Sequence, residues 1–272
     1  MKICFKVVAA VLSAAVLILS GCGSSNEEVP AAADTAAPIT EAVTTEEKEI
    51  TTVSEIEKIV VTARPDAERK QVALTFDDGP NTTTTAEILD ILEQYGIKAS
   101  FFVIGQNIND DSAKVMKRAY DMGCEINSHS FTHSYMNEME AEEIKEEMDK
   151  TAELIHEATG EYPKFFRPPY IAVNSTLYDT VDIPFICGEG CNDWNVKIPV
   201  VKRVQFLTER TKDGMIILLH DAAGNKNTVD ALKEAIPAML EDGYEFLTVT
   251  ELFEAKGVTP DADSEVMYTM VQ

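Results

Sequence analysis

The sequence predicts an α/β domain in which about seven parallel strands, separated by helices, close into a barrel. Three observations carry this expectation. From Lys70 onward, short apolar runs alternate with longer segments of helical periodicity. About seven such runs fall within roughly 190 residues, which suits a barrel better than an open sheet. Several runs end in clustered polar residues, where barrels of parallel strands place their chemistry.

The strand runs are Val72–Phe76, Ala99–Ile104, Cys124–Asn127, Lys164–Phe166, Ile183–Cys187, Met215–Leu219 and Glu245–Val249. Helical patterns occupy 83–95, 110–122, 138–159, 200–212 and 226–242. The third is the clearest. Asn137 is placed to cap it, Ile144, Met148, Ile155 and Ala158 share one face, and Gly160 suits its end. His156 falls off that apolar face and reads as a solvated helix residue.

Ahead of this domain, residues 1–21 read as a signal peptide. Lys2 and Lys6 precede a largely apolar run from Val7 to Leu19, too short for a membrane span of about 20 residues. The following Leu19-Ser20-Gly21-Cys22 resembles a bacterial lipobox, so Cys22 is the expected lipidation site and membrane anchor. Residues 22–68 are rich in Ala, Thr, Glu and Pro and read as a tether. Within it, "EIEKIVVTA" is a candidate short strand docked on the domain. The domain itself is expected at 69–257, with a short polar tail at 258–272. Of five cysteines, Cys4 leaves with the signal and Cys22 carries lipid. The remaining Cys124, Cys187 and Cys191 are odd in number and read as buried or free thiols, although Cys187 and Cys191 are close enough in sequence to pair. Asp and Glu number 47 against 23 Lys and Arg, a formal net charge of -24. That balance argues against a nucleic-acid partner and is read as solubility.

Four strand ends stand out. "VALTF" ends in Asp77-Asp78, "CEIN" in "SHSFTH", "FF" in Arg167 and then Pro168-Pro169-Tyr170, and "IILL" in His220-Asp221. Three of the four histidines lie at these ends. His129 and His133 are four residues apart, which on a helical turn puts both imidazoles on one side. Two imidazoles and a carboxylate leave a divalent ion with open positions, as a catalytic site requires. Adjacency alone does not say which of Asp77 and Asp78 does which job.

In order and spacing, "TFDDGP", "HSFTH", "FRPPY", "DW" and "LLHD" resemble the polysaccharide deacetylases, the NodB-like domain of carbohydrate esterase family 4. The resemblance covers about residues 69–255. It implies a distorted (β/α) barrel. It also implies that Asp78, His129 and His133 bind a divalent metal, Zn2+ first and Co2+, Ni2+ or Mn2+ otherwise. Asp77 is then the general base, held by Arg167. The backbone N–H of Tyr170 serves the oxyanion, and His220 is the general acid, oriented by Asp193. Trp194 and Leu218 line the acetyl pocket. The implied substrate is an N-acetylated glycan outside the cytoplasmic membrane, with peptidoglycan N-acetylglucosamine ahead of a chitin-like polymer. A monomer is expected.

Two departures from the family pattern point to an altered cleft. Ile171 stands where Gly often follows the Tyr, and "CGEGCNDW" puts Gly190 where an Asp is usual. Alternatives are an O-acetyl xylan esterase using the same site and a catalytically degenerate glycan-binding lipoprotein. A non-haem iron oxygenase triad is a third, opposed by the second Asp and by His220.

Overall fold

The computed structural model describes residues 58–272. The signal peptide, Cys22 and most of the tether lie outside the described residues. The strands are β1 Lys70–Asp77, β2 Ser100–Val103, β3 Glu125–Ser128, β4 Phe185–Ile186, β5 Glu189–Gly190, β6 Ile216–His220, β7 Tyr244–Leu247 and β8 Met267–Tyr268. The helices are α1 Thr84–Tyr95, α2 Asp110–Asp121, α3 Ala141–Thr159, α4 Ser175–Thr180, α5 Val200–Glu209, α6 Lys226–Glu241 and α7 Val249–Lys256. Alternation of β and α elements holds nearly throughout, as the sequence predicts.

β1 is the hub. It pairs in parallel with β2, β6 and β7, and β3 and β5 extend the sheet on either side. From Val72 to Asp77 it is buried without a break, which explains why it reads as a continuous apolar run. Val72, Leu74 and Phe76 pack toward one side with Ile88, Leu92 and Phe101, while Ala73 on the other side joins Phe102, Ile216 and Phe253. The i, i+2 spacing on β1 divides these two cores.

The run at Lys164–Phe166 forms no strand. Phe166 makes only isolated bridges, to Ser128 and to Phe185. Those bridges link β3 to the separate β4–β8 pair. The residues read as a polar tail complete the ring. β8 lies parallel to β4, Met270 bridges Met215, and the Val271 N–H donates to the Gly214 carbonyl at 2.7 Å. Val271 is 1% exposed. Its isolated apolar residues gave no periodicity to read, because their partners are distant in sequence. The result is a closed but uneven barrel of mostly parallel strands.

Three further expectations are corrected. Residues 58–63 form no strand, although the Ile59 N–H donates to Gln94 and the Arg64 N–H to Glu241, so chain contact with the domain begins before residue 69. α3 is capped by Glu140 with Glu143 in a reciprocal box, not by Asn137. The chain between His129 and His133 is a loop, not a helical turn. Among the described residues no helix is long and apolar enough to cross a membrane.

Deleting residues 264–272 removes β8 and the buried Val271. Calorimetry should register a loss of about 1.5–3 kcal/mol from Val271 alone, with a clear fall in Tm. An unchanged Tm would make the segment an appendage.

Candidate active site

The C-terminal ends of β1, β3 and β6, with the turn after Arg167, converge on one pocket of about 420 Å³. Its wall includes Asp77, Asp78, His129, His133, Tyr170, Trp194, Leu218 and His220. Every functional residue singled out from the sequence within the described region therefore lies in this pocket or directly behind it.

Asp77 is the last residue of β1, and Asp78 leaves the strand with φ 78°. That left-handed turn is a conformation that Asp tolerates better than most residues. It lets two neighbouring carboxylates reach the same pocket instead of opposite faces of a strand. Asp78 Oδ1 lies 3.6 Å from His129 Nε2 and 3.4 Å from His133 Nε2. This oxygen is buried and has no hydrogen-bond partner.

The His129 ring is buried, and its Nδ1 donates to the Arg167 carbonyl at 2.6 Å. Because a carbonyl only accepts, the proton is fixed on Nδ1 and the Nε2 lone pair faces Asp78. His133 sits at φ 60°, and its N–H donates to Ser130 Oγ. Burial pushes the His133 imidazole below its ordinary pKa, as does His129, while Asp78 and Asp77 oppose the shift. A neutral ring is the form that ligates.

One ligand atom from each of Asp78, His129 and His133 falls within 4.8 Å of the others. Ligands about 2.0–2.2 Å from a zinc-like ion lie roughly 3–3.5 Å apart, so small movements suffice to bind. The unpartnered carboxylate oxygen, the fixed tautomer and the mixed N/O donor set all fit a divalent cation.

Asp77 turns the other way. Its Oδ1 accepts from Arg167 Nη1 at 2.5 Å, and both side chains are almost wholly buried. Arg167 Nη2 donates to Thr75 Oγ1 at 2.9 Å, and the guanidinium lies 4.1 Å from the Phe102 ring centroid. Burial alone would raise the Asp77 pKa. Arg167, His129 and His220 outweigh it and hold the carboxyl below its ordinary value.

Facing Asp77 at the end of β6 is His220. Its Nδ1 lies 2.7 Å from Asp193 Oδ1, and its backbone N–H donates to Asp193 Oδ2 at 2.9 Å. Burial works against the imidazolium, but Asp193, Asp77 and Asp78 together raise its pKa to about 9. Asp193 is itself buried and held by Thr228 Oγ1 at 2.7 Å, and buried Arg203 binds Thr228 and Asn225 beside it.

Pro168 and Pro169 lack an N–H, so Tyr170 supplies the first backbone donor after Arg167. Tyr170 and Ile171 both have positive φ, 59° and 55°. For β-branched Ile171 this costs roughly 1–2 kcal/mol, so the turn persists without the expected glycine. At Gly190 the backbone leaves no room for a side chain. A Cβ there would lie 2.3 Å from the Leu218 carbonyl, because Gly190 pairs with Leu218 in the sheet.

Several residues that shape the site carry no sequence signal of their own. Glu147 on α3 is buried and accepts the N–H groups of Phe131 and Thr132 at 2.9 and 2.8 Å, bracing the histidine loop. Arg203 is another. Asp221 completes the motif "LLHD". It is fully buried against Gly79, accepts from Thr85 Oγ1 at 2.5 Å, and is pushed up to about 7 by burial and by Asp78 and Asp77. Thr75 was legible in principle, since it precedes Asp77 by two on a strand and shares its face. The three remaining cysteines are free.

The family model for polysaccharide deacetylases matches residues 64–182. The chain is 41% identical to a family 4 acetyl xylan esterase from Clostridium thermocellum, solved with a cobalt ion; the match covers 74% of this chain and 99% of that one, with a TM-score of 0.72. This chain belongs to the polysaccharide deacetylase family, carbohydrate esterase family 4. It is 48% identical over 198 residues to a bifunctional xylanase/deacetylase from Pseudobutyrivibrio xylanivorans, covering 73% of this chain and 33% of the relative. It is 34% identical over 188 residues to a peptidoglycan-N-acetylglucosamine deacetylase from Listeria monocytogenes, covering 69% and 40%. The chain thus spans between a third and two fifths of the length of these two relatives.

Glu147→Ala frees the histidine loop without touching a candidate ligand. Zinc affinity, measured by competition with a chromogenic chelator, should fall about 10–100-fold. Unchanged affinity would mean the loop is held by its other contacts.

Proposed function

We propose that this chain is a metal-dependent glycan deacetylase acting outside the cytoplasmic membrane. The observation that carries it is the opposed pair at one pocket: Asp77, kept ionised by Arg167, faces His220, kept protonated by Asp193. A divalent ion on Asp78, His129 and His133 would supply Lewis acidity, acidifying water and polarising an acyl carbonyl. Asp77 takes the proton from the attacking water. The Tyr170 N–H donates to the developing oxyanion. His220 gives its proton to the departing nitrogen or oxygen, and Asp193 keeps that imidazole in place. Trp194 and Leu218 enclose the acetyl methyl group. Zinc is the proposed metal.

No Lys or Arg is among the residues lining the pocket. That favours a neutral sugar over one bearing a carboxylate, and N-acetylglucosamine in peptidoglycan or a chitin-like polymer is the first reading. Acetylated xylan is the second. It is supported by the higher identity to the bifunctional xylanase/deacetylase and to the acetyl xylan esterase. An ester has the better leaving group, so His220→Ala should cost about 10²–10⁴-fold on an amide and less on an ester. We also propose export and lipidation at Cys22, supported by the charged, apolar and small-residue order of the leader. The Cys22→Ser protein should then leave the membrane fraction.

Acetate release from N-acetyl and O-acetyl glycans, by apo and zinc-loaded protein, tests the main reading. Chelation should abolish release and zinc should restore it. No release from any glycan by the zinc-loaded form would sink the proposal.

The pH profile follows from the two held charges. The base works above its pKa, which Arg167, His129 and His220 hold below the ordinary carboxylate value. The acid works below its own, about 9. A bound dication offsets part of the pull of Asp77 and Asp78, so the alkaline limb should fall at or below that value. Asp193→Asn removes the strongest support for the imidazolium and should move this limb to lower pH. A limb that stays put would exclude His220 as the acid.

A further inference from the structure

Beside the pocket stands a feature the proposed chemistry does not use. Tyr135 and Tyr170 stack with ring centroids 4.0 Å apart and planes 16° from parallel. His133 meets Tyr170 at 4.7 Å in an edge contact. The two tyrosines come from different loops, and each loop is fixed from below. Next to Tyr135, Met136 is fully buried with Ile144, Phe166 and Leu177. Asn174, just past the Tyr170 turn, donates from Nδ2 to the Asn137 carbonyl at 2.7 Å. The stack is thus a braced surface between tied loops.

Yet it is not buried. Tyr135 is 49% exposed and Tyr170 54% exposed. Two adjacent large aromatic side chains held half in water are unusual on a soluble surface and mark a binding face. Tyr170 also lines the pocket, so the stack begins where the reacting group sits. A chain of sugars continuing from the pocket past Tyr170 would meet the Tyr135 ring next. The faces of an equatorially substituted pyranose carry C–H bonds, which complement the negative face of an aromatic ring. With no Lys or Arg lining the pocket, a neutral ring suits it better than one bearing a carboxylate. Tyr135 lies outside the five motifs that carry the family resemblance.

We propose that the Tyr135–Tyr170 stack is a platform for the pyranose adjoining the acetylated one, which makes this site selective for oligomers over single sugars. The inference rests on the deacetylase reading and deepens it. Tyr135 is a specificity-determining residue in this account, acting on the neighbour of the reacting sugar.

The test compares kcat/KM for a single acetylated sugar and for its β-1,4 tetramer, in the zinc-loaded full chain. Chito-oligosaccharides and acetylated xylo-oligosaccharides form separate arms. Tyr135→Ala should shrink the tetramer-to-monomer ratio about tenfold, mainly through KM for the tetramer. Tyr135→Phe, which keeps the ring, should preserve the ratio. If Tyr135→Ala lowers both substrates equally, the ring only buttresses Tyr170 and the platform is overturned. A second readout needs no turnover: tetramer affinity by titration calorimetry, in an Asp77→Asn background, should weaken about tenfold on adding Tyr135→Ala. Tetramer binding that depends on Tyr135, with no acetate released from any glycan by the zinc-loaded chain, would uphold the platform and sink the deacetylase reading. Turnover with tetramer affinity indifferent to Tyr135 would do the reverse.

Discussion

The site is organised around one buried cation. Arg167 grips Asp77 through its guanidinium and accepts the His129 ring proton through its own carbonyl. A single residue therefore orients both the carboxylate proposed as base and an imidazole proposed as ligand. Desolvating such an ion pair is costly, and good geometry with further hydrogen bonds is needed to offset it. Thr75 and the face of Phe102 supply that support. The two prolines that follow deny the next positions an N–H and hand the first free donor to Tyr170. Four residues, "RPPY", thus set the proposed base, ligand and oxyanion donor in register.

Across the pocket the same logic runs with opposite charge. There the buried Asp193 carboxyl supports His220, the proposed acid, and its remaining capacity is met by Thr228 and the His220 N–H. The two halves sit on adjacent strands, since Asp77 and His220 are direct partners in the β1–β6 ladder. Sheet register alone brings the proposed acid and base face to face. Their environments push the two pKa values apart, so both hold their working forms over the same range.

What the sequence reveals divides along these lines. Asp77, Asp78, His220 and Arg167 are legible because each ends an apolar run, and strand ends are where such folds expose polar groups. His129 and His133 are legible as a pair, but for an incomplete reason. Their convergence comes from a loop with positive φ at Ser130 and His133, braced by Glu147, and not from helical spacing. Glu147 and Arg203 are charged residues on amphipathic helices, indistinguishable in pattern from solvated neighbours until tertiary contacts bury them. Tyr135 is equally silent, since nothing local says that another tyrosine, 35 positions on, lies flat against it. The closing strand β8 is hidden by its length of two residues. Short elements of this kind owe their existence to long-range pairing, which periodicity does not encode.

The pairing of Gly190 with Leu218 also limits what position 190 can carry. There the chain lays backbone directly against backbone, leaving a space smaller than a methyl group. Any side chain at 190 would meet a wall, and the strand contact would have to open before it could be placed. This edge of the cleft is therefore bounded by main chain, which cannot swing aside as a side chain can. An acid here is more accessible from a different loop than from position 190 itself.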